Sequence, residues 1–190
     1  EGTWLCMSRS KYLLSRIKKI VRQQGQAYNM NGKSSLESSE TKAITSWERI
    51  RKDIKISMHE AKNLIKFFNF NVKLKPKDAY GIDDLGMPDD FKNKDWMEVL
   101  RNLPPDEREY LRSCLRNGQQ FSDKPKITIS TIHQSKGGEA DNVVLLTDMG
   151  KLSWDNLGTD EENRVWYVAL TRVKQNLFLV SPRGLRYFSI

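Results

Sequence analysis

Two stretches of this chain carry residue types and spacings suited to phosphate chemistry. The first is Thr131-Ile132-His133-Gln134-Ser135-Lys136-Gly137-Gly138-Glu139-Ala140. It lies between two runs of β-branched and aliphatic residues, 127–131 and 143–146. Loops that follow strand C-termini are where open α/β sheets bind ligands. The hydroxyl of Thr131, the imidazole of His133 and the ammonium of Lys136 can donate to phosphate oxygens, and the carboxylate of Glu139 can accept from a sugar hydroxyl. Read alone, the same residues also suit a plain glycine turn with Lys136 and Glu139 in solvent. The second stretch is Glu161-Glu162-Asn163-Arg164-Val165-Trp166-Tyr167-Val168-Ala169-Leu170-Thr171-Arg172. Arg172 ends an apolar helical pattern just before a strand. A guanidinium there can stabilise charge on a transferring phosphoryl group, or simply sit as a cation on the C-terminal end of a helix dipole.

The surrounding elements must hold these groups. The run 4–7 reads as a short buried strand. Tyr12, Leu13, Leu14, Ile17, Ile20 and Val21 recur at helical spacing over 10–24, with Gly25 as the stop. A short strand is expected over 27–29 and a polar loop over 31–40. A helix is expected over 41–53. Ser57-Met58-His59-Glu60 has capping-box spacing, so a second helix should start there, with His59 in its first turn. The region 71–93 is weakly patterned. Trp96, Val99 and Leu100 suggest a short helix, and Pro104-Pro105 opens another that ends at Gly118. The character then changes. Strands over 127–131, 143–146 and 177–180, with a helix over 161–171, point to an open α/β sheet. Trp166 and Tyr167 are expected in the core on the general tendency of aromatics to be buried, while Trp154 falls in a loop.

Composition narrows the function classes. The chain has 190 residues, with 32 Lys and Arg against 24 Asp and Glu, a formal charge of +8. Residues 1–76 hold 16 basic and 6 acidic side chains, so the positive excess sits in the first two fifths. A one-sided basic surface attracts polyanions, with nucleic acid the first candidate. With two cysteines and two distant histidines there is no disulfide framework and no expected metal site. No apolar run reaches the roughly 20 residues of a membrane span, and the start of the chain lacks a signal-peptide pattern. A reducing intracellular setting, cytoplasmic or otherwise alongside DNA, is the expectation.

Two further segments imitate parts of a nucleotide site. Ala27-Tyr28-Asn29-Met30-Asn31-Gly32-Lys33-Ser34 matches a relaxed phosphate-loop pattern. Bulky Tyr28 and Met30 occupy the curl, and no helical apolar face follows, so the context of a true phosphate loop is missing. Val143-Val144-Leu145-Leu146-Thr147-Asp148 resembles a strand-plus-Asp magnesium site, but apolar strands ending near Asp are common, and a structural role for Asp148 is favoured.

Taken together, the two chemically suited stretches resemble the UvrD/Rep-type superfamily I DNA helicases. T-I-H-Q-S-K-G-G-E-A corresponds to their motif V, and E-E-N-R-V-W-Y-V-A-L-T-R followed by an apolar strand corresponds to motif VI. The start of the chain fits motif IV: a strand, Arg9, a long helix, and Tyr28 before a second short strand. The resemblance covers about 126–182, with 3–30 as a weaker part.

The resemblance implies the second RecA-like domain of such a motor. Its fold is an α/β, P-loop NTPase-type open sheet, mostly parallel and flanked by helices, formed by 1–30 and 126–190, with a mainly helical insertion over 31–125. It implies that ATP with Mg²⁺ is gripped by a first, N-terminal RecA-like domain carrying the phosphate loop and the magnesium ligands, so the isolated chain is expected to be inactive. By the same resemblance, Arg172 and Arg9 serve the γ-phosphate, Glu139 meets the ribose, Gly138 and Lys136 shape the loop at the nucleotide, and Thr131 and His133 face single-stranded DNA or a single/double-strand junction. Ser8 stands where relatives commonly carry an adenine-stacking aromatic. Two other readings stay open: a non-catalytic DNA- or protein-binding module derived from a helicase domain, and a self-contained ATPase built on Gly32-Lys33-Ser34.

Overall fold

β-Branched runs flanked by glycine-rich turns favour strands buried on both faces, and helices of matching length must then cover them. The computed structural model, which describes residues 2–87 and 89–189, has this organisation. In chain order the elements are β1 (Trp4–Ser8), α1 (Lys11–Gln23), β2 (Tyr28–Met30), β3 (Lys33–Ser34), α2 (Ser39–Ile50), β4 (Ile56–Ser57), α3 (Met58–Leu64), β5 (Ala79–Tyr80), α4 (Trp96–Val99), α5 (Pro105–Arg116), β6 (Ile127–Thr131), β7 (Ala140–Leu146), α6 (Lys151–Asp155), α7 (Asp160–Leu170) and β8 (Val173–Val180). They divide into two compact units, 1–35 with 123–190, and 36–122.

The first unit is built on a six-stranded sheet ordered β3-β2-β6-β1-β7-β8. All neighbouring pairs are parallel except β2 with β3. The chain is therefore an α/β fold with a mostly parallel sheet, as the sequence pattern required. Alternation along β1 sends Leu5 and Met7 to one face. There they join Val143 and Leu145 of β7 under Trp166 and Ala169 of α7. On the other face α1 packs against β1 and β6, with Leu13, Leu14, Ile17 and Val21 buried. The three core residues of α7 (Glu162, Trp166, Ala169) follow i, i+4, i+7 spacing. Tyr167 points about 100° away from Trp166 on such a helix. It is 69% exposed, against the expectation of a core position, whereas Trp166 is fully buried and stacks on Phe188 at 4.4 Å. Edge strand β8 is also more open than its V-K-Q-N-L-F-L-V sequence suggests, because only β7 flanks it.

Asn31 (φ 53°) and Gly32 (φ 74°) are the two-residue turn joining β2 to β3. Asn-Gly is the preferred chemistry for such a hairpin, because both central residues need positive φ. Asn29 pairs with Ser34 and Met30 with Lys33. The apparent phosphate loop is thus a hairpin with no helix at its end, and it pulls the first unit's boundary a few residues past 30. Asp148 serves the fold itself, its Oδ1 accepting from the backbone N–H of Arg183 at 3.1 Å.

The second unit is mainly helical. The capping box at Ser57 is formed: the Ser57 hydroxyl accepts from the Glu60 N–H, and Glu60 accepts from the Ser57 N–H. Trp47, Ile50, Leu64, Leu100 and Leu111 are buried within it. The two-stranded β4–β5 pair was not expected, being only two residues per strand.

Candidate functional site

Parallel strands give the sheet two chemically distinct edges, and the notable side chains divide between them. At the C-terminal edge β1 ends at Ser8 and β6 at Thr131, with the Ile132 N–H bonded to the Ser8 carbonyl at 3.1 Å. Arg9 and His133 follow directly. The Arg9 guanidinium donates side-on to Glu162 in the first turn of α7, Nε to Oε1 at 2.8 Å and Nη2 to Oε2 at 2.9 Å. Glu162 is 3% exposed and also accepts from the indole N–H of Trp166 at 3.0 Å. Such bidentate, charge-assisted pairs are the strong, geometrically specific class. Nη1 of Arg9 lies 3.4 Å from Nδ1 of His133. A guanidinium has only donors, so Nδ1 is the acceptor and the ring proton belongs on Nε2. Burial, followed by the nearby cations Arg9 and Lys136, holds the His133 pKa below its ordinary value.

The loop from β6 to β7 then crosses the sheet. Thr131 is buried, its hydroxyl accepting from the Gln134 N–H and donating to the Gln134 side-chain oxygen. The Ser135 hydroxyl donates to the Ile132 carbonyl. These short-range bonds shape the loop, leaving His133, Gln134 and Lys136 exposed. Gly137 has φ +81°, so it is the glycine the backbone requires; Gly138, whose N–H meets the Ser135 carbonyl, has no such φ. Lys136 lines clefts on both sides of the loop. One, of about 530 Å³, is shared with His133, Arg164 and Val168. The other, of about 360 Å³, is shared with Thr128, Gln134 and Glu139.

At the N-terminal edge the loop rejoins the sheet. The Ala140 N–H donates to the Arg172 carbonyl at 3.1 Å, and Glu139 lies 3.9 Å from Nζ of Lys174. Glu139 and Arg172 are therefore neighbours on this edge. The Arg172 side chain folds back, Nε donating to the Val168 carbonyl at 3.0 Å.

This arrangement separates two residues that the resemblance assigns to one phosphate. Register places Ser8 beside Leu146 and Val180, and Ala140 beside Val173. Arg9 and Arg172 thus flank opposite edges, about 25 Å apart at roughly 3.3 Å per strand residue. Glu162 occupies the Nε/Nη2 edge of the Arg9 guanidinium. The Thr131 hydroxyl is engaged inside the loop. The Arg9–Glu162 pair has no signal in the sequence: Glu162 stands among surface-type acidic residues at a helix start, and its partner lies 153 positions away. Among the described residues no group of three or more His, Cys, Asp or Glu could hold a metal ion, and no helix is long and apolar enough to cross a membrane.

No curated protein matches this chain. The family model for the UvrD-like helicase C-terminal domain matches residues 10–183, a range that opens immediately after Arg9 and includes the whole 131–140 loop and Arg172. With the mostly parallel sheet and the loop and arginine placed as above, the chain belongs to the UvrD-like helicase C-terminal domain family and is a helicase motor domain of RecA-like α/β fold.

Proposed function

We propose that the domain works as the second half of an ATP-driven DNA translocase, with the nucleotide at the N-terminal edge of its sheet and single-stranded DNA at the C-terminal edge. The observation that carries this reading is the Ala140–Arg172 backbone bond, which ties the end of the 131–140 loop to the end of α7. Both segments begin at the opposite edge, beside Arg9. Each can therefore carry a displacement from one edge to the other.

At the nucleotide edge, Arg172 supplies positive charge to the γ-phosphate of ATP bound mainly on a first RecA-like domain, and Glu139 accepts from the ribose. Electrostatic stabilisation delivered across a domain gap couples closure to hydrolysis. ATP with Mg²⁺ supplies the phosphoryl chemistry when bound. The donor set here fits a ribose and a phosphate but supplies no carboxylate cluster for the metal, so the magnesium ligands are assigned to the first domain. Lys136 and Gly138 shape the loop between the edges. At the DNA edge, His133 faces the strand, Thr131 sets the loop that presents it, and Arg9 positions His133 rather than reaching the nucleotide.

The direct test is Arg172→Ala in the intact helicase. Arginines of this kind are worth about 10³–10⁵ in rate. ATP turnover that stays within a few-fold of wild type removes Arg172 from the role. A non-catalytic binding module is separated by the same experiment, since it predicts no dependence of turnover on this domain.

A further inference from the structure

Helix α1 carries an unusual charge pattern. From Gly2 to Leu36 there are six Lys and Arg residues beyond Arg9 and no Asp or Glu. Five of the six lie on α1: Lys11, Arg16, Lys18, Lys19 and Arg22. The buried positions Leu13, Leu14, Ile17 and Val21 define the face turned to the sheet. At 100° per residue the five cations all project from the remaining arc. Lys11, Ser15, Lys18 and Arg22 follow i, i+4, i+7, i+11 spacing and form one continuous stripe. Lys11, Arg16, Lys18 and Lys19 are exposed, and among the described residues none of these four forms a salt bridge. The strands beneath, β1 and β6, contain no carboxylate either.

A solvated helix face normally interleaves both signs, because like charges at i, i+4 repel. Among the described residues Lys11, Arg16, Lys18 and Lys19 have no acidic partner to offset that repulsion, which is relieved when a polyanion covers this face. We propose that the outward face of α1 is a nucleic-acid backbone track, continuing the DNA edge along the flank of the domain. The position supports this partner: α1 starts two residues after Arg9 and so begins at the edge that presents His133. Lys11 to Arg22 spans about 16 Å at 1.5 Å per residue, the rise of roughly five nucleotides at 3.4 Å each. Lysines at such spacing contact phosphates without reading bases, so the track adds affinity and salt dependence rather than sequence preference.

The inference rests on the DNA reading above, and its test separates the two. The 190-residue chain is titrated with a fluorescein-labelled oligothymidylate of about 20 nucleotides, at salt between about 50 and 200 mM, the range over which counterion release is readily measured. The variants are Lys11→Gln/Lys18→Gln, Lys11→Glu/Lys18→Glu and His133→Ala. Each phosphate contact on a single strand contributes about 0.7 to the salt slope, so the glutamine pair should make it shallower by about 1.4. The glutamate pair should weaken binding at least roughly tenfold, with unchanged circular dichroism because both side chains are exposed. Wild-type slope and affinity in both lysine variants, with weakened binding in His133→Ala, overturns the α1 track and leaves the loop reading intact. The reverse pattern supports the track and removes His133 from the strand. Absence of DNA binding by the wild-type chain at the lowest salt overturns the track, as does a lysine dependence seen only with phosphatidylserine vesicles.

Discussion

The carboxylate of Glu162 grips the guanidinium of Arg9 through two parallel hydrogen bonds of 2.8 and 2.9 Å, joining the loop after β1 to the first turn of α7. The pair is asymmetric in exposure, with the Glu162 side chain 4% exposed and that of Arg9 21%. Removing one member of a buried pair strands the other charge at a cost of about 3–5 kcal/mol, and partial exposure of Arg9 puts this case at or below the lower end, about 2–3 kcal/mol. Arg9→Ala should cost more than Glu162→Gln, because it leaves a buried carboxylate with only the Trp166 N–H beside it. Replacing both residues by Met should be milder than the sum of the single changes. Urea unfolding of the wild type, Arg9→Met, Glu162→Met and the double Met variant completes a cycle. A coupling energy indistinguishable from zero would show that the two side chains do not hold the elements together.

His133 gives the site a pH dependence. Its pKa lies below the ordinary value of 6.5, chiefly through burial and then through Arg9 and Lys136, with Glu162 and Glu161 opposing. The fold therefore favours the neutral ring. The corresponding stability is fully present above the unfolded value of about 6.5 and is lost as pH falls from there through the folded value. Following the carbon-bound imidazole protons by NMR should place the His133 midpoint below 6.5. Arg9→Gln should move it upward, since a lowering charge is removed. A midpoint unchanged by that substitution contradicts the contact between Nη1 and Nδ1.

Lys33 should be silent in nucleotide chemistry. It lies in a hairpin strand opposite Met30, after an Asn-Gly turn. Lys33→Ala in the intact helicase should leave ATP turnover unchanged. Gly32→Val should instead lower stability by about 1–2 kcal/mol, because a side chain is strained at φ +74° even though the surrounding space is open. A large loss of turnover in Lys33→Ala without loss of stability would revive the phosphate-loop reading.

Much of the fold was legible because it depends on local patterns. The buried runs of β1, β6 and β7, the helical spacing of α1 and the Ser57 capping box each belong to a short window of sequence. The β4–β5 pair was not legible, since two-residue strands carry no periodicity and depend on tertiary pairing. The loop 131–140 and Arg172 were legible as candidate chemistry, but their edges were not. The edges follow from strand order and direction, which place Glu139 near Arg172 and Arg9 beside Glu162. Motif spacing along the chain contains no such information, so two arginines assigned to one phosphate by resemblance proved to flank opposite edges.

The crossing loop offers a final contrast between two adjacent glycines. At Gly137 nothing lies within 4 Å of an added Cβ, yet φ is +81°, a region that costs a residue with a side chain about 1–2 kcal/mol. At Gly138 the backbone is ordinary and an added Cβ would meet the Ser135 carbonyl at 3.4 Å, an ordinary contact. Gly137→Ala should therefore lower stability or reshape the loop, while Gly138→Ala should be nearly neutral. If the loop relays movement between the edges, Gly137→Ala in the intact helicase should also reduce the stimulation of ATP turnover by single-stranded DNA more than it reduces turnover without DNA. Unfolding curves and turnover with and without DNA measure both effects. Equal behaviour of the two alanine variants would mean that the left-handed turn at Gly137 does not set the shape of the loop.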